Sequence, residues 1–204
     1  MLLYYITDRH SLDRDVVDTV AEALVAGVDL IQIREKDLSP RELFVLAQRV
    51  KELPNPGGSR ILLNERLDIA VAAGLDGVHL PSSHLPIREL RETAGRPITV
   101  GVSCHSDAEV RAANDEGADL IAFSPVFAPL SKSSHIQPHG LAALESICAT
   151  SSAPVFALGG VTANRIHDCL EAGAAGVAGI SLFQSSHELT TLVSNIRDKP
   201  LSSP

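Results

Sequence analysis

Short apolar runs rich in Val, Ile and Leu alternate along the chain with longer amphipathic stretches. Continuous apolar runs of this length are typical of strands buried on both faces, and the stretches between them predict helices. The predicted strands span residues 2–7, 30–34, 60–64, 77–80, 98–103, 120–126, 154–159 and 176–181. The predicted helices lie at about 13–26, 40–52, 66–73, 86–93, 106–116, 139–149, 162–172 and 186–196. This alternation predicts an α/β protein with a parallel sheet, most simply a single (β/α)8 TIM barrel, with an open doubly wound sheet as the alternative.

A repeated junction supports the barrel. A helix end, a glycine and an Asp or small residue lead into an apolar strand in LVAGVDLIQIR, VAAGLDGVHL, NDEGADLIAFSPV and LEAGAAGVAGIS. The four junction glycines lie 43 to 56 residues apart, which is the length of two strand–helix units. We therefore expect residues 1–204 to form one barrel domain, with a frayed tail at 198–204.

Composition restricts the class of protein. Apolar residues make up 45% of the chain and charged residues 21%, which predicts a soluble globular protein. The net charge of −8 favours neither nucleic acid nor an anionic membrane as a partner, and no apolar run approaches a membrane span. Three widely spaced cysteines and no basic leader predict reduced thiols in a cytoplasmic protein. The sequence allows a homo-oligomer without fixing the oligomeric state.

Polar residues occupy every second position at the end of the second predicted strand and just beyond it. Gln32, Arg34 and Lys36 therefore share one face of the strand, and the carboxyl ends of barrel strands carry the active site in this fold. Buried cations are costly unless an anion pairs with them. The partner is either an internal carboxylate, Glu65, or an anionic ligand.

Other predicted strands also end in polar residues. They or the loops after them carry Asp8, Asn64, Glu65, His79, His84, Ser103, His105, Ser131, Lys132 and Ser181. Each also has a structural interpretation: His79 would be a satisfied core histidine, Asn64 would end a strand, and Lys132 would be solvated. Their concentration at one predicted rim indicates a site for phosphorylated small molecules.

Two glycines follow the seventh predicted strand. Gly159 and Gly160 would let the backbone approach a phosphate, next to the amino end of a helix, and Ser181 would add a hydroxyl. The loops after strands 7 and 8 are the usual phosphate site of such barrels. The alternative is a tight turn. A second anion would bind near Arg34 and Lys36, which implies two phosphorylated partners or one long substrate.

Several motifs together resemble one known family. "YYITD", "QIREK", "LLNERLDIAVAAGLDGVHLP", "GVSCHS", "GADLIAFSPVF", "PVFALGGV" and "GAAGVAGIS" are similar to the thiamine phosphate synthase and TenI family over residues 4 to about 183. The resemblance implies a transferase that joins hydroxymethylpyrimidine diphosphate to thiazole phosphate. Diphosphate would leave first, giving a pyrimidine cation that the thiazole nitrogen attacks, with Mg²⁺ between the diphosphate oxygens.

The resemblance also implies roles for particular residues. The catalytic candidates are Arg34, Lys36, Ser103, Lys132 and His84; the substrate-binding candidates are Gln32, Asn64, His79, Ser131, Gly159, Gly160 and Ser181; the metal candidate is Glu65. Within these sets, the residues that would hold the diphosphate are Gln32, Arg34, Lys36, Asn64 and Lys132. Ser103 and His79 would line the pyrimidine side, and Gly160 and Ser181 the thiazole phosphate.

The metal half of the motif departs from the family. Glu65 and His84 stand where the family has two magnesium-binding aspartates, and imidazole is a poor ligand for magnesium. The loop containing His84 is more similar to TenI proteins, some of which isomerise the thiazole phosphate by proton transfer without metal. The TenI histidine after strand 6 matches Pro125, so His84 or His105 would have to replace it. A regulatory barrel that binds a phosphorylated ligand without turnover is the third interpretation.

Overall fold

The computed structural model describes residues 1–128, 137–186 and 188–198. Eight parallel strands close into a barrel in the order in which they follow one another along the chain, with the last strand paired to the first. The strands are β1 Leu2–Ile6, β2 Leu30–Ile33, β3 Arg60–Asn64, β4 Gly77–Leu80, β5 Thr99–Cys104, β6 Leu120–Phe123, β7 Val155–Ala157 and β8 Gly176–Gly179. The predicted (β/α)8 barrel is confirmed.

Helices cover the outside of the barrel. Within the described ranges they are α1 Val16–Ala26, α2 Pro40–Lys51, α3 Leu67–Ala72, α4 Ile87–Ala94, α5 Asp107–Asp115, α6 Gly140–Thr150, α7 Ile166–Glu171, α8 Ser181–Gln184 and α9 Leu189–Asp198. Short 3-10 helices at Arg9–Ser11 and Ala163–Arg165 precede α1 and α7. Asp198, the first residue of the predicted tail, ends α9, and residues 199–204 lie outside the described part.

Three predicted strands end at least two residues early, each for a local reason, and those at 2–7 and 30–34 end one residue early. β6 stops at Phe123 because Pro125 has no N–H to continue the ladder. β7 stops at Ala157, two residues before the first of two glycines with positive φ. The predicted strand 176–181 is wrong at its end, because Ser181 begins the short helix α8.

The repeated aspartate of the helix–strand junctions has a structural role at the amino end of the barrel. Asp29 Oδ2 accepts the backbone N–H of Leu3 at 2.8 Å, and Asp76 Oδ2 accepts that of Ile61 at 2.8 Å. Asp119 Oδ2 does the same for Val100. Each aspartate thus satisfies an amide near the start of the preceding strand, which would otherwise be buried without an acceptor.

Side chains inside the barrel form two zones. An apolar zone contains Tyr4, Ile6, Leu30, Leu62, Leu120, Phe156 and Ala178. Because side chains alternate along a strand, residues two positions further on, such as Gln32 after Leu30 and Asn64 after Leu62, continue the same interior face toward the carboxyl end. The apolar zone therefore forms the floor below a polar mouth.

Candidate active site at the barrel mouth

The structure brings a chain of polar side chains together inside the barrel. Ser103 Oγ lies 2.9 Å from His79 Nε2, and His79 Nδ1 lies 2.9 Å from the Tyr4 hydroxyl oxygen. That oxygen is 3.4 Å from Gln32 Oε1, and Gln32 Nε2 donates to Asn64 Oδ1 at 3.0 Å. Five side chains from β1 to β5 therefore form one connected network.

A glycine makes room for the histidine in this network. A Cβ atom at Gly101 on β5 would lie 2.6 Å from His79 Nδ1, closer than a carbon can approach. Because Gly101 and His79 are direct neighbours in the β4–β5 register, any side chain at Gly101 would displace the imidazole. The interior position of His79 thus depends on Gly101.

The imidazole of His79 is neutral. Its side chain is buried, and burial together with the nearby positive charge of Arg34 lowers its pKa to about 3. Both ring nitrogens have hydrogen-bond partners, as the structural interpretation of a satisfied histidine expects. At physiological pH it is therefore neither a cation nor a strong base.

The two cations of the "QIREK" motif differ in their surroundings. Arg34 is half-buried, and within the described ranges no carboxylate lies within 4 Å of its guanidinium. Lys36 is the residue near Glu65, with Nζ 3.8 Å from Oε1 and both side chains about half exposed. An exposed pair of this kind contributes little stability. The internal salt bridge is thus made by Lys36, and Arg34 is left for an external anion.

Glu65 has an unusual backbone conformation. Its φ is +61°, in the left-handed region that costs a residue with a Cβ roughly 1–2 kcal/mol. The residue lines a cavity of about 240 Å³ together with Lys36 and Asn64. Strained backbone of this kind often accompanies functional loops, and here it directs the turn between β3 and α3.

The His84 side chain contacts Leu85 and Glu116 and forms no ion pair with Glu65 in the described part of the chain. Its Nδ1 lies 2.6 Å from the Leu85 carbonyl oxygen and 3.9 Å from Glu116 Oε2. In the described ranges, no group of three or more His, Cys, Asp or Glu side chains is arranged to hold a metal ion. Glu65, the metal candidate, therefore has no partner set among the described residues that fits a metal site built by the protein alone.

The two glycines after β7 are required by packing. A Cβ at Gly159 would lie 2.7 Å from the Cα of Pro125, and one at Gly160 would lie 2.3 Å from the carbonyl oxygen of Ala128. Both residues also have positive φ, of 92° and 62°. The close approach that demands glycine is thus made by the loop after β6, and the positive φ of both residues is also compatible with the tight-turn alternative.

The same region still offers free amides. The backbone N–H groups of Gly160 and Ser181 donate to no acceptor among the described residues. Ser181 is exposed at the first position of α8, where the N–H groups of a helix have no intrahelical partner. These groups remain suited to a phosphate.

The sequence reasoning missed two residues. Tyr4 lies at the centre of the interior network, a position that strand alternation from Ile6 could have indicated. Glu35 is buried on the opposite face of the motif, where its carboxylate accepts the Thr7 hydroxyl at 2.6 Å and the backbone N–H of Arg9 at 3.1 Å. Glu35 thereby fixes the loop after β1 against that after β2.

Other candidates take no part in the described network. Ser131 and Lys132 lie outside the described residues. The thiols of Cys104, Cys148 and Cys169 are free, and burial raises the pKa of each, to about 12 for Cys104. A groove of about 890 Å³ between α7 and α9 contains none of the predicted site residues.

The protein is a closed (β/α)8 barrel with a polar network toward its carboxyl end, which is where enzymes of this fold carry their active sites. The model of the thiamine monophosphate synthase family matches residues 3–183. The chain belongs to this family, and the predicted resemblance is confirmed. It is an enzyme of the transferase type in thiamine biosynthesis.

Individual relatives agree with this assignment. A putative thiamine-phosphate synthase of Geobacter sulfurreducens is 46% identical over 180 residues, which cover 88% of this chain and 84% of that protein. A thiamine-phosphate synthase of Methanoculleus marisnigri is 39% identical, over 97% of this chain and 94% of that protein. A solved structure, thiamine phosphate pyrophosphorylase from Pyrococcus furiosus, superposes with a TM-score of 0.84 at 29% identity, covering 96% of this chain and 93% of that chain. Among the described residues, no helix has the length and apolarity to span a membrane.

Proposed function

We propose that this protein joins hydroxymethylpyrimidine diphosphate to thiazole phosphate and releases diphosphate. The observation that carries the proposal is the half-buried guanidinium of Arg34, which has no carboxylate partner within the described ranges. A cation held in this way favours an anionic ligand. The family and the names of the relatives supply the identity of that anion.

The proposed first step breaks the carbon–oxygen bond between pyrimidine and diphosphate, and the electron pair leaves with the diphosphate. Negative charge grows on the leaving group, where Arg34 would stabilise it. Lys36 would contribute by turning from Glu65, with which it forms only a weak, exposed pair. Ser131 and Lys132 remain predicted contacts of the same diphosphate, with Gln32 and Asn64 beside the cations.

The proposed second step joins the two rings. The lone pair of the thiazole nitrogen attacks the pyrimidine cation and forms the new carbon–nitrogen bond. His79 suits this step because burial, together with the charge of Arg34, lowers its pKa to about 3, so the ring adds no positive charge beside the cation. The free amides of Gly160 and Ser181 would hold the phosphate of the thiazole partner.

The decisive assay measures diphosphate release from both substrates over a range of magnesium concentrations, including an excess of chelator. Magnesium dependence, a cytoplasmic location and a homo-oligomer all stay predictions. Release that requires both substrates is the expected result. Failure to release diphosphate at every magnesium concentration would reject the synthase reaction.

A second candidate function is metal-independent isomerisation of the thiazole phosphate. The observation that favours it is His105, whose Nδ1 lies 2.7 Å from the backbone carbonyl oxygen of Ser124, next to the position where TenI proteins would carry their histidine. A ring that donates from Nδ1 to a carbonyl keeps Nε2 as a proton acceptor. The Nδ1 atom of His84 contacts a backbone carbonyl in the same way, but only His105 lies beside Ser124, the residue before Pro125, and His105 is therefore the better acid–base candidate.

This second candidate has its own test. Isomerisation in the presence of chelator, lost in His105→Gln and kept in His84→Gln, would support it. No isomerisation by the unmodified protein would reject it. Tight binding of both phosphorylated substrates without either reaction would instead indicate the regulatory barrel.

A further inference from the structure

The Tyr4 hydroxyl occupies the branch point of the interior network. It is fully buried and has a single proton, but two acceptors lie near it. His79 Nδ1 is 2.9 Å from the hydroxyl oxygen, and Gln32 Oε1 is 3.4 Å from it. The acceptor that the Tyr4 proton takes decides which nitrogen of His79 carries a proton and where the Ser103 hydroxyl proton points.

Two proton arrangements satisfy a neutral imidazole, which has one N–H and one acceptor nitrogen. In the first, Tyr4 donates to His79 Nδ1, and Nε2–H donates to Ser103 Oγ. In the second, Tyr4 donates to Gln32, Nδ1–H donates to Tyr4, and the Ser103 hydroxyl donates to Nε2. The Ser103 proton is free only in the first arrangement.

The distances favour the first arrangement. Hydroxyl hydrogen bonds to oxygen usually span 2.5–3.0 Å between heavy atoms, so the 3.4 Å separation from Gln32 is too long for a good bond. The 2.9 Å contact with His79 is ordinary. Rotating the Gln32 amide by 180° would place an N–H donor beside Tyr4 and again leave the tyrosine proton for His79.

We propose that Tyr4 fixes His79 as the Nε2–H tautomer, so that Ser103 directs its hydroxyl proton to a ligand at the barrel mouth. Ser103 is half-buried at the carboxyl end of β5, two positions beyond Gly101 on the same interior face. It then acts as a hydrogen-bond donor rather than as a nucleophile, because the nitrogen beside it carries a proton and cannot accept another. Tyr4 and His79 are positioning residues.

The ligand atom that faces the Ser103 hydroxyl must carry a lone pair, because it accepts the hydrogen bond that Ser103 donates. The proposal rests on the proposed function only for the identity of that ligand, which would be the pyrimidine partner. The tautomer itself is a property of the unliganded protein. The two ideas can therefore fail separately.

The direct test is ¹⁵N NMR of the protein labelled in its histidines, with the His79 signals assigned from the spectrum of His79→Gln. We expect protonated Nε2 and unprotonated Nδ1 in the unmodified protein. Tyr4→Phe removes the donor and should transfer population to the Nδ1–H form. Tyr5→Phe is the matched control, because the Tyr5 hydroxyl lies on the other face of β1 and is buried with no hydrogen-bond partner among the residues that the structure describes.

Protonated Nδ1 in the unmodified protein would overturn the proposal, and this spectrum decides it even if Tyr4→Phe does not fold. An unchanged His79 tautomer in folded Tyr4→Phe would also overturn it. Loss of diphosphate release with the expected tautomer intact would count against the proposed function alone.

A double-mutant cycle adds a functional readout. Tyr4→Phe should lower kcat/KM about tenfold, which is the cost of roughly one misdirected hydrogen bond. In a Ser103→Ala background the same change should have little effect, since both act through one proton. Equal effects in both backgrounds would contradict the coupling.

Discussion

Replacing Arg34 with Ala tests whether the barrel mouth binds an anion. The guanidinium is half-buried and has no carboxylate within 4 Å in the described part of the chain, so its removal breaks no internal ion pair there. A hydrogen bond to a charged group contributes about 1.5–3 kcal/mol. Affinity for inorganic diphosphate should therefore fall roughly 10- to 100-fold.

The measurement is calorimetric titration of inorganic diphosphate into both proteins at one salt concentration. Arg60→Ala is the matched control, because Arg60 begins β3 at the opposite end of the barrel and its loss changes the net charge equally. We expect Arg60→Ala to bind nearly as well as the unmodified protein. Equal affinities for all three proteins, or equal losses in both variants, would refute the idea that Arg34 is a local anion contact.

Three further predictions concern stability. Asp76→Ala leaves the Ile61 N–H at the buried start of β3 without its acceptor, so the free energy of unfolding in urea should fall by about 1–3 kcal/mol, whereas Asp68→Ala, which removes an exposed pair, should change it little. Glu65→Gly relieves the φ of +61° and should raise the free energy of unfolding by up to about 1 kcal/mol; a decrease would show that the turn is not strained. Burial and nearby positive charge lower the pKa of His79 to about 3, below the ordinary value of 6.5, so the unfolded chain binds its proton first and stability should fall as the pH drops from 6.5 toward 3. His79→Gln should reduce that loss, and an unchanged pH profile would contradict it.

The local pattern of apolar and polar residues was sufficient to predict the barrel and the presence of polar residues at the carboxyl ends of its strands. Continuous apolar runs separated by amphipathic stretches correctly indicated eight parallel strands, because the backbone periods of strand and helix differ. Strand alternation placed Gln32 on the interior face, whereas Arg34 and Lys36 lie beyond the end of β2, where alternation no longer fixes the direction of a side chain. Predicted strand ends were less accurate where Pro125, Gly159 and Ser181 change the backbone.

The local pattern of residues could not predict which side chains of different helices, strands and loops contact one another. The sequence offered Glu65 as the partner of Arg34 or Lys36, and only the fold shows that Lys36 lies beside it. His84 turns toward Glu116, a residue 32 positions away along the chain. Such pairings depend on loop paths, which no periodicity encodes.

The sequence by itself determined the order of strands and helices and the set of polar residues at their carboxyl ends. Only the tertiary structure decided that Tyr4, His79 and Ser103 share a chain of hydrogen bonds. Alternation fixes the face of each residue within its own strand. Barrel closure, and the space that Gly101 leaves, fix which of those faces meet.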